Sequence, residues 1–223
     1  MVGVSTGISL PVISPHAGPA SDDAERQRLV RRARLLARLG LAWHLVEAAV
    51  AIGAGVIAGS VALVGFGGDS LIEATAGLIV LWLMAGQRSA LAQAERRAQQ
   101  LIAASFLLLA VYVFAEGVRD LANGHHPGVS WIGVGLALVT LLTMPPLAAA
   151  KRKVGQALHS SATTSESRQT MLCAYLSAGL LTGLLANALL GWWWADPVVA
   201  IGIGVVALRE ARDAWRGESC DCC

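Results

Sequence analysis

The sequence predicts an all-α fold, a six-helix transmembrane bundle with both termini in the cytoplasm. Composition is the first reason, because 55% of the 223 residues are hydrophobic and only 14% are charged, which fits membrane helices better than a soluble domain. The second reason is that six apolar runs are long enough to cross a hydrocarbon layer of about 30 Å. The third is that positive charges gather in alternate connections between those runs.

These runs divide the chain into three parts. We expect residues 1–37 to form a disordered, basic N-terminal tail, residues 38–210 the six-span transmembrane domain, and residues 211–223 a short cytoplasmic tail that contains cysteines. The first 25 residues lack a basic segment followed by an uninterrupted apolar core, so we expect no cleaved signal peptide. The predicted spans are residues 39–60, 61–85, 100–121, 129–150, 170–191 and 192–208.

Lysine and arginine determine the predicted orientation, because positively charged connections stay in the cytoplasm. Of the 17 such residues, only Arg119 falls on the opposite side in this arrangement. The termini and the second-to-third and fourth-to-fifth connections carry the rest. We therefore expect a multi-pass integral protein, in the plasma (cytoplasmic) membrane. A net charge of +2 gives no indication of nucleic-acid binding.

Two carboxylates interrupt the second apolar run. Asp69 and Glu73 are four residues apart and share one helical face. Glu73 lies roughly 18 Å along the helix from Val61, near the middle of the hydrocarbon layer. An acid at that depth costs on the order of 2.5–3.5 kcal/mol, so two of them indicate a functional role, and a cation pathway is the candidate.

The first and fifth spans carry further polar residues. Glu166, Gln169, Cys173 and Ser177 follow one another at steps of three, four and four, so they form a polar face on one helix. In the first span, His44 and Glu47 lie on adjacent parts of one face. Two readings of Glu47 stay open, an interfacial acid with a local partner and a member of the ion path.

Several of these motifs together resemble a known family. The segment Gly59-Ser60-Val61-Ala62-Leu63 leading to Asp69-Ser70-Leu71-Ile72-Glu73 resembles the second-helix signature of the cation diffusion facilitators, the cation efflux family. The run from Glu166 to Ser177 resembles the fifth-helix pattern of that family, and residues 116–119 and 196–197 fall where it has similar residues. The resemblance extends over residues 39–208.

The resemblance implies a transporter that exports divalent transition metals, mainly zinc, in exchange for protons and as a homodimer. No prosthetic group is expected. Gln169 and Cys173 stand where the family has histidine and aspartate, and the chain ends soon after the sixth span without the family's cytoplasmic metal-binding domain. We therefore expect a divergent, small, acid-rich branch. The candidate metal ligands are Asp69, Glu73, Gln169, Cys173, Glu166 and Glu47.

The ligand types agree with this reading. Two carboxylates, a thiolate and one oxygen from Gln169 or Glu166 would complete a tetrahedral zinc shell. Calcium and magnesium would not favour the sulfur. The ionisable ligands must be deprotonated to bind, so protons and metal compete and proton-coupled antiport is expected.

The alternative is a transport-inactive bundle that binds metal or a partner membrane protein, which the departures in the fifth span favour. We expect no enzyme, because neither a Ser/His nor a His-Glu-x-x-His constellation occurs.

Two peripheral motifs have open readings. Cys220, Cys222 and Cys223 are expected in the cytoplasm, where thiols stay reduced, so a disulfide framework is not expected. Soft-metal binding, S-acylation and an incidental tail all stay open for them. His125 and His126 occupy a turn. They could capture external metal, but adjacent histidines in a turn are weak evidence for such a site, and a purely local role is favoured.

Overall fold

The computed structural model of the protein describes residues 19–83, 91–159 and 161–216. Over these ranges the chain folds into six α-helices with no β-strand, which confirms the predicted all-α fold. The helices are α1 (Pro19–Ala58), α2 (Val61–Leu83), α3 (Leu91–Asn123), α4 (Trp131–Ala157), α5 (Ser161–Leu190) and α6 (Ala195–Arg216).

The apolar character of the helices identifies the chain as a multi-pass integral membrane protein. Among the described residues, five helices, α1 to α5, are long and apolar enough to cross a membrane. Helix α6 has 22 residues, and at a rise of about 1.5 Å per residue it is roughly 33 Å long. Charged side chains near both of its ends, among them Asp196 and Arg209, lower its mean hydropathy.

Two helices are longer than the apolar pattern predicts. Helix α1 begins at Pro19, so residues 19–37, expected within the disordered tail, are helical. Alanine, leucine and arginine fill much of this segment and favour the helix. Helix α4 continues through Pro145 and Pro146 to Ala157, so Lys151, expected in the connection after the fourth span, lies within the helix. Neighbouring helices support proline-interrupted membrane helices.

Other expectations lie outside the described residues. They concern residues 1–18 of the tail, Arg88 in the second-to-third connection, and the three cysteines at positions 220, 222 and 223.

Three pairs of helices pack most extensively, α1 with α2, α4 with α5, and α3 with α6. The first pair forms a tight hairpin, because only Gly59 and Ser60 separate the two helices. Gly59 turns the chain with φ of +66°, a conformation that glycine adopts without steric cost. Gly67 permits close packing, because a Cβ there would lie 2.7 Å from a side-chain carbon of Ile52.

The connection between α3 and α4 covers the end of this hairpin. Gly128 N donates to Ala58 O at 2.7 Å, and the ring of His126 packs on Trp193 with centroids 5.1 Å apart. Asn187 of α5 donates to Pro127 O at 3.0 Å. The bundle is therefore closed at this end by backbone and aromatic contacts.

Candidate metal centre

Buried polar side chains from four helices meet inside the bundle. Glu47 of α1 is fully buried and is the most completely hydrogen-bonded of them. Its Oε2 accepts from Ser70 Oγ of α2 at 2.9 Å, and its Oε1 accepts from the Thr140 hydroxyl of α4. The thiol of Cys173 lies 3.8 Å from the same Oε2. Glu47 thus links α1, α2, α4 and α5.

His44 lies between two carboxylates. Its Nδ1 is 3.2 Å from Glu47 Oε2 and 3.1 Å from Glu73 Oε2. A ring nitrogen carries one hydrogen at most, so it donates to one of the two. The geometry of a hydrogen bond is met toward Glu47.

Glu73 is consequently the open member of the group. Its Oε2 is one of two buried side-chain polar atoms without a hydrogen-bond partner in the described part of the chain, the other being Trp43 Nε1. Glu73, His44 and Cys173 each offer one ligand atom, and these three atoms lie within 4.8 Å of one another. All three residues are buried. We refer to His44, Glu47, Glu73 and Cys173 as the polar centre.

Asp69 lies beside the polar centre, one turn before Glu73 on α2. Its side chain is 5% exposed, and it forms no hydrogen bond or ion pair with the residues that the structure describes. A Cβ on Gly65, one turn earlier on the same face, would lie 2.7 Å from a side-chain carbon of Val113 of α3 and 3.7 Å from one of Ile203 of α6. Asp69 therefore flanks the polar centre toward α3 and α6.

The remaining residues of the predicted face on α5 lie elsewhere. Glu166 Oε1 is 2.7 Å from the ammonium of Lys151, about two helical turns from Cys173. Gln169 is half-buried. The structure therefore brings together Glu47, Glu73 and Cys173 from the predicted ligand set, with Asp69 alongside, and places Glu166 in a separate ion pair.

Comparison with known proteins agrees with the motif resemblance. Residues 37–216 match the cation efflux transmembrane domain, which is well over half of the chain. The chain belongs to the cation efflux family.

Two curated relatives of this family member are themselves described as transporters. The chain is 23% identical over 182 residues to "uncharacterized transporter sll1263" of Synechocystis, an alignment that covers 78% of this chain and 59% of that protein. It is 27% identical over 120 residues to "uncharacterized transporter YdbO" of Bacillus subtilis, covering 53% of this chain and 41% of the relative. The chain thus matches about half the length of these relatives.

The donor types of the polar centre fit a cation of the transition series. Imidazole nitrogen, carboxylate oxygen and thiolate sulfur are the ligands that zinc uses in proteins. Three carboxylates, counting Asp69, are buried around one imidazole and one thiol, so the described side chains leave an excess of negative charge when ionised. A bound cation or bound protons would balance that charge.

Spacing in the sequence pairs His44 with Glu47, but His44 is not among the predicted metal ligands. No role is predicted for Ser70 or Thr140, which donate to Glu47 in the structure. The available signal is that Thr140 lies on the same face of α4 as the buried Ala137 and Met144. A hydroxyl at such a position in the bundle needs a partner.

Proposed function

We propose that this chain is a membrane transporter that exports a divalent transition-metal cation, zinc foremost, in exchange for protons. The observation that carries the proposal is the buried Oε2 of Glu73, which forms no complete hydrogen bond with the described residues although it lies 3.1 Å from His44 Nδ1 and within reach of Cys173. A carboxylate oxygen without a donor is costly in an apolar bundle. Binding of a cation at that oxygen would remove the cost.

The choice of zinc follows from the donor set. His44, Glu73 and Cys173 offer nitrogen, oxygen and sulfur, whereas calcium and magnesium prefer oxygen alone. Zinc–ligand bonds of about 2.0–2.3 Å separate tetrahedral ligand atoms by roughly 3.3–3.8 Å. The ligand atoms of the three residues now lie within 4.8 Å of one another. Only a small inward movement of these atoms is therefore needed. Asp69 or water would supply the fourth ligand.

Proton exchange follows from the same ligands. A thiol and carboxylic acids bind zinc only after they lose their protons, and the imidazole must be neutral. Zinc entry therefore releases protons, and proton entry displaces zinc. Zinc binding at equilibrium should weaken as the pH falls.

The transport cycle is proposed to expose the polar centre alternately to the two sides of the membrane. The distribution of lysine and arginine supports an orientation with both termini in the cytoplasm. Residues 38–210 would form the transporting unit in the plasma membrane, and a homodimer is the assembly that the family resemblance implies.

The deciding experiment is zinc-driven proton flux in proteoliposomes that contain the purified chain and an enclosed pH dye. We expect proton flux with the wild-type chain. With Glu73→Gln, the flux should fall to the rate of protein-free liposomes. Glu116→Gln is the matched control, because Glu116 is partly exposed and pairs with Arg119. An inactive wild-type chain, or equal flux from Glu73→Gln, would contradict the proposal.

A second candidate function is a bundle that binds metal, or a partner membrane protein, without transporting. The contacts of Glu47 favour it, because they tie α1, α2 and α4 together through buried hydrogen bonds. Calorimetry separates the two functions. Zinc binding that disappears in Glu73→Gln, together with zero flux from the wild-type chain, would establish the second candidate.

A further inference from the structure

A second buried charged group lies next to the polar centre, toward the end of the bundle where α1 begins. Lys151 of α4 is 1% exposed, and its ammonium lies 2.7 Å from Glu166 Oε1 of α5. The same ammonium donates to Thr170 Oγ1 at 3.1 Å. We call this group the Lys151–Glu166 pair. Because buried ion pairs add little net stability compared with apolar packing, its presence suggests a role other than stability.

Glycines on α1 and α2 leave room for the pair. A Cβ on Gly40 of α1 would lie 2.8 Å from Lys151 Nζ. A Cβ on Gly77 of α2 would lie 3.8 Å from Glu166 Oε1. The charged groups therefore fill the space between the α1–α2 hairpin and the α4–α5 hairpin.

The pair lies on the same side of the polar centre along three helices. Gly40 precedes His44 by four residues, and Gly77 follows Glu73 by four residues in the antiparallel helix. Thr170 precedes Cys173 by three residues on α5. Each step is about one helical turn, or roughly 5 Å. The Lys151 ammonium therefore lies about one helical turn from the polar centre, toward the end of the bundle where α1 begins.

We propose that the Lys151–Glu166 pair is the gate that closes the polar centre toward the end of the bundle where α1 begins. The proposal rests on the proposed transport function for its purpose. In the closed state the pair blocks the path by its volume, and the ammonium repels a divalent cation. The path opens when the pair moves away from Gly40 of α1 and Gly77 of α2.

Cys173 provides a native reporter for this gate, because its side chain is fully buried and it follows Thr170, which contacts Lys151, by three residues on α5. The experiment uses the full chain with the substitutions Cys220→Ser, Cys222→Ser and Cys223→Ser. Cys173 is then the sole thiol. A membrane-impermeant methanethiosulfonate reagent is applied to right-side-out and to inverted vesicles without metal. The rate of Cys173 modification from each face is measured.

We expect Lys151→Met to raise the modification rate by about tenfold, from one face only, which corresponds to about 1.4 kcal/mol in favour of the open state. Glu166→Gln should have the same effect and keeps the test valid where Lys151→Met does not fold. The matched controls are Arg152→Met and Lys153→Met, because both side chains are exposed neighbours of Lys151. They should react at the wild-type rate.

Charge reversal tests the pair itself. Lys151→Glu combined with Glu166→Lys should react more slowly than either neutral variant, because opposite charges face each other again. The proposal is overturned by unchanged rates in the folded neutral variants, by an equal rise from both faces, or by a charge-reversed chain as fast as the neutral variants.

The labelling assay is independent of zinc and of flux. Unchanged labelling in a chain that transports zinc would overturn the gate alone. A one-sided rise in the neutral variants, together with a wild-type chain that moves no zinc, would support the gate and contradict the transport function.

Discussion

Glu73 and Asp196 are both buried carboxylates in this bundle, with 5% and 1% of their surfaces exposed, yet their surroundings differ. Asp196 lies in the first turn of α6, and its two oxygens accept from Ser60 Oγ and from Ala62 N at the start of α2. Glu73 lies in the middle of α2 with one oxygen unpartnered.

The comparison shows that burial alone does not identify a binding carboxylate. Asp196 lies near the positive N-terminal ends of α2 and α6, where backbone dipoles and donors stabilise an anion. Glu73 lies far from any helix N-terminus, and the donor group beside it is the His44 ring nitrogen, 3.1 Å from its Oε2. An unfilled acceptor in an apolar region is therefore the stronger indication of a ligand.

The largest expected effect tests whether the group around Glu73 binds metal through sulfur. Cys173→Ser should weaken cadmium binding by about 100-fold and zinc binding by about tenfold, because cadmium is the softer cation and depends more on the thiolate. Isothermal titration calorimetry with each metal measures both affinities. Unchanged affinities for both metals would show that sulfur is not a ligand.

The second prediction contrasts the two carboxylates by stability. Asp196→Ala should lower the free energy of unfolding by about 1–3 kcal/mol, because the Ser60 and Ala62 donors lose their acceptor. Glu73→Gln should leave stability unchanged or raise it, since it removes an incompletely compensated charge. Thermal unfolding in detergent without metal measures both. A larger loss in Glu73→Gln would assign Glu73 a structural role.

The third prediction concerns the support of the polar centre. Thr140→Val removes the hydroxyl that donates to Glu47 Oε1 and should cost about 1 kcal/mol of stability, because the carboxylate oxygen is left unpaired. Thr143→Val is the control, since Thr143 donates only to backbone oxygens of its own helix. Thermal unfolding of the two variants side by side provides the measurement, and equal losses would remove Thr140 from the support of Glu47.

The smallest effect is expected at Gln169. This residue stands in a ligand position by resemblance, but it is half-buried and outside the group of atoms within 4.8 Å. Gln169→Ala should change zinc affinity by less than about twofold, or roughly 0.4 kcal/mol. Calorimetry that shows a tenfold loss would restore Gln169 to the ligand set and would imply a rotation of α5.

The sequence predicts the helices well because their signals are local. Apolar runs and the Gly59 junction identify six helices and the first hairpin, and the spacing of Asp69, Glu73 and Cys173 identifies two polar faces. These patterns depend on the period of one helix alone.

The partners of those faces are harder to predict, because they depend on how the helices rotate against each other. Close packing at small residues such as Gly67 sets that rotation, and spacing within one helix does not encode it. Thr140 and Lys151 nevertheless share the buried face of α4, eleven residues or about three turns apart. That spacing was available as a signal for a lysine inside the bundle.

The tight α1–α2 hairpin has a mechanical consequence for coordination. His44, Glu47 and Glu73 belong to the closely packed α1–α2 pair, whereas Cys173 belongs to the α4–α5 pair. A rocking movement between the hairpins would keep the nitrogen and oxygen donors at fixed separations and stretch only the bond to sulfur. In the proposed site, the thiolate would therefore be the donor whose distance to a bound ion reports the conformational state.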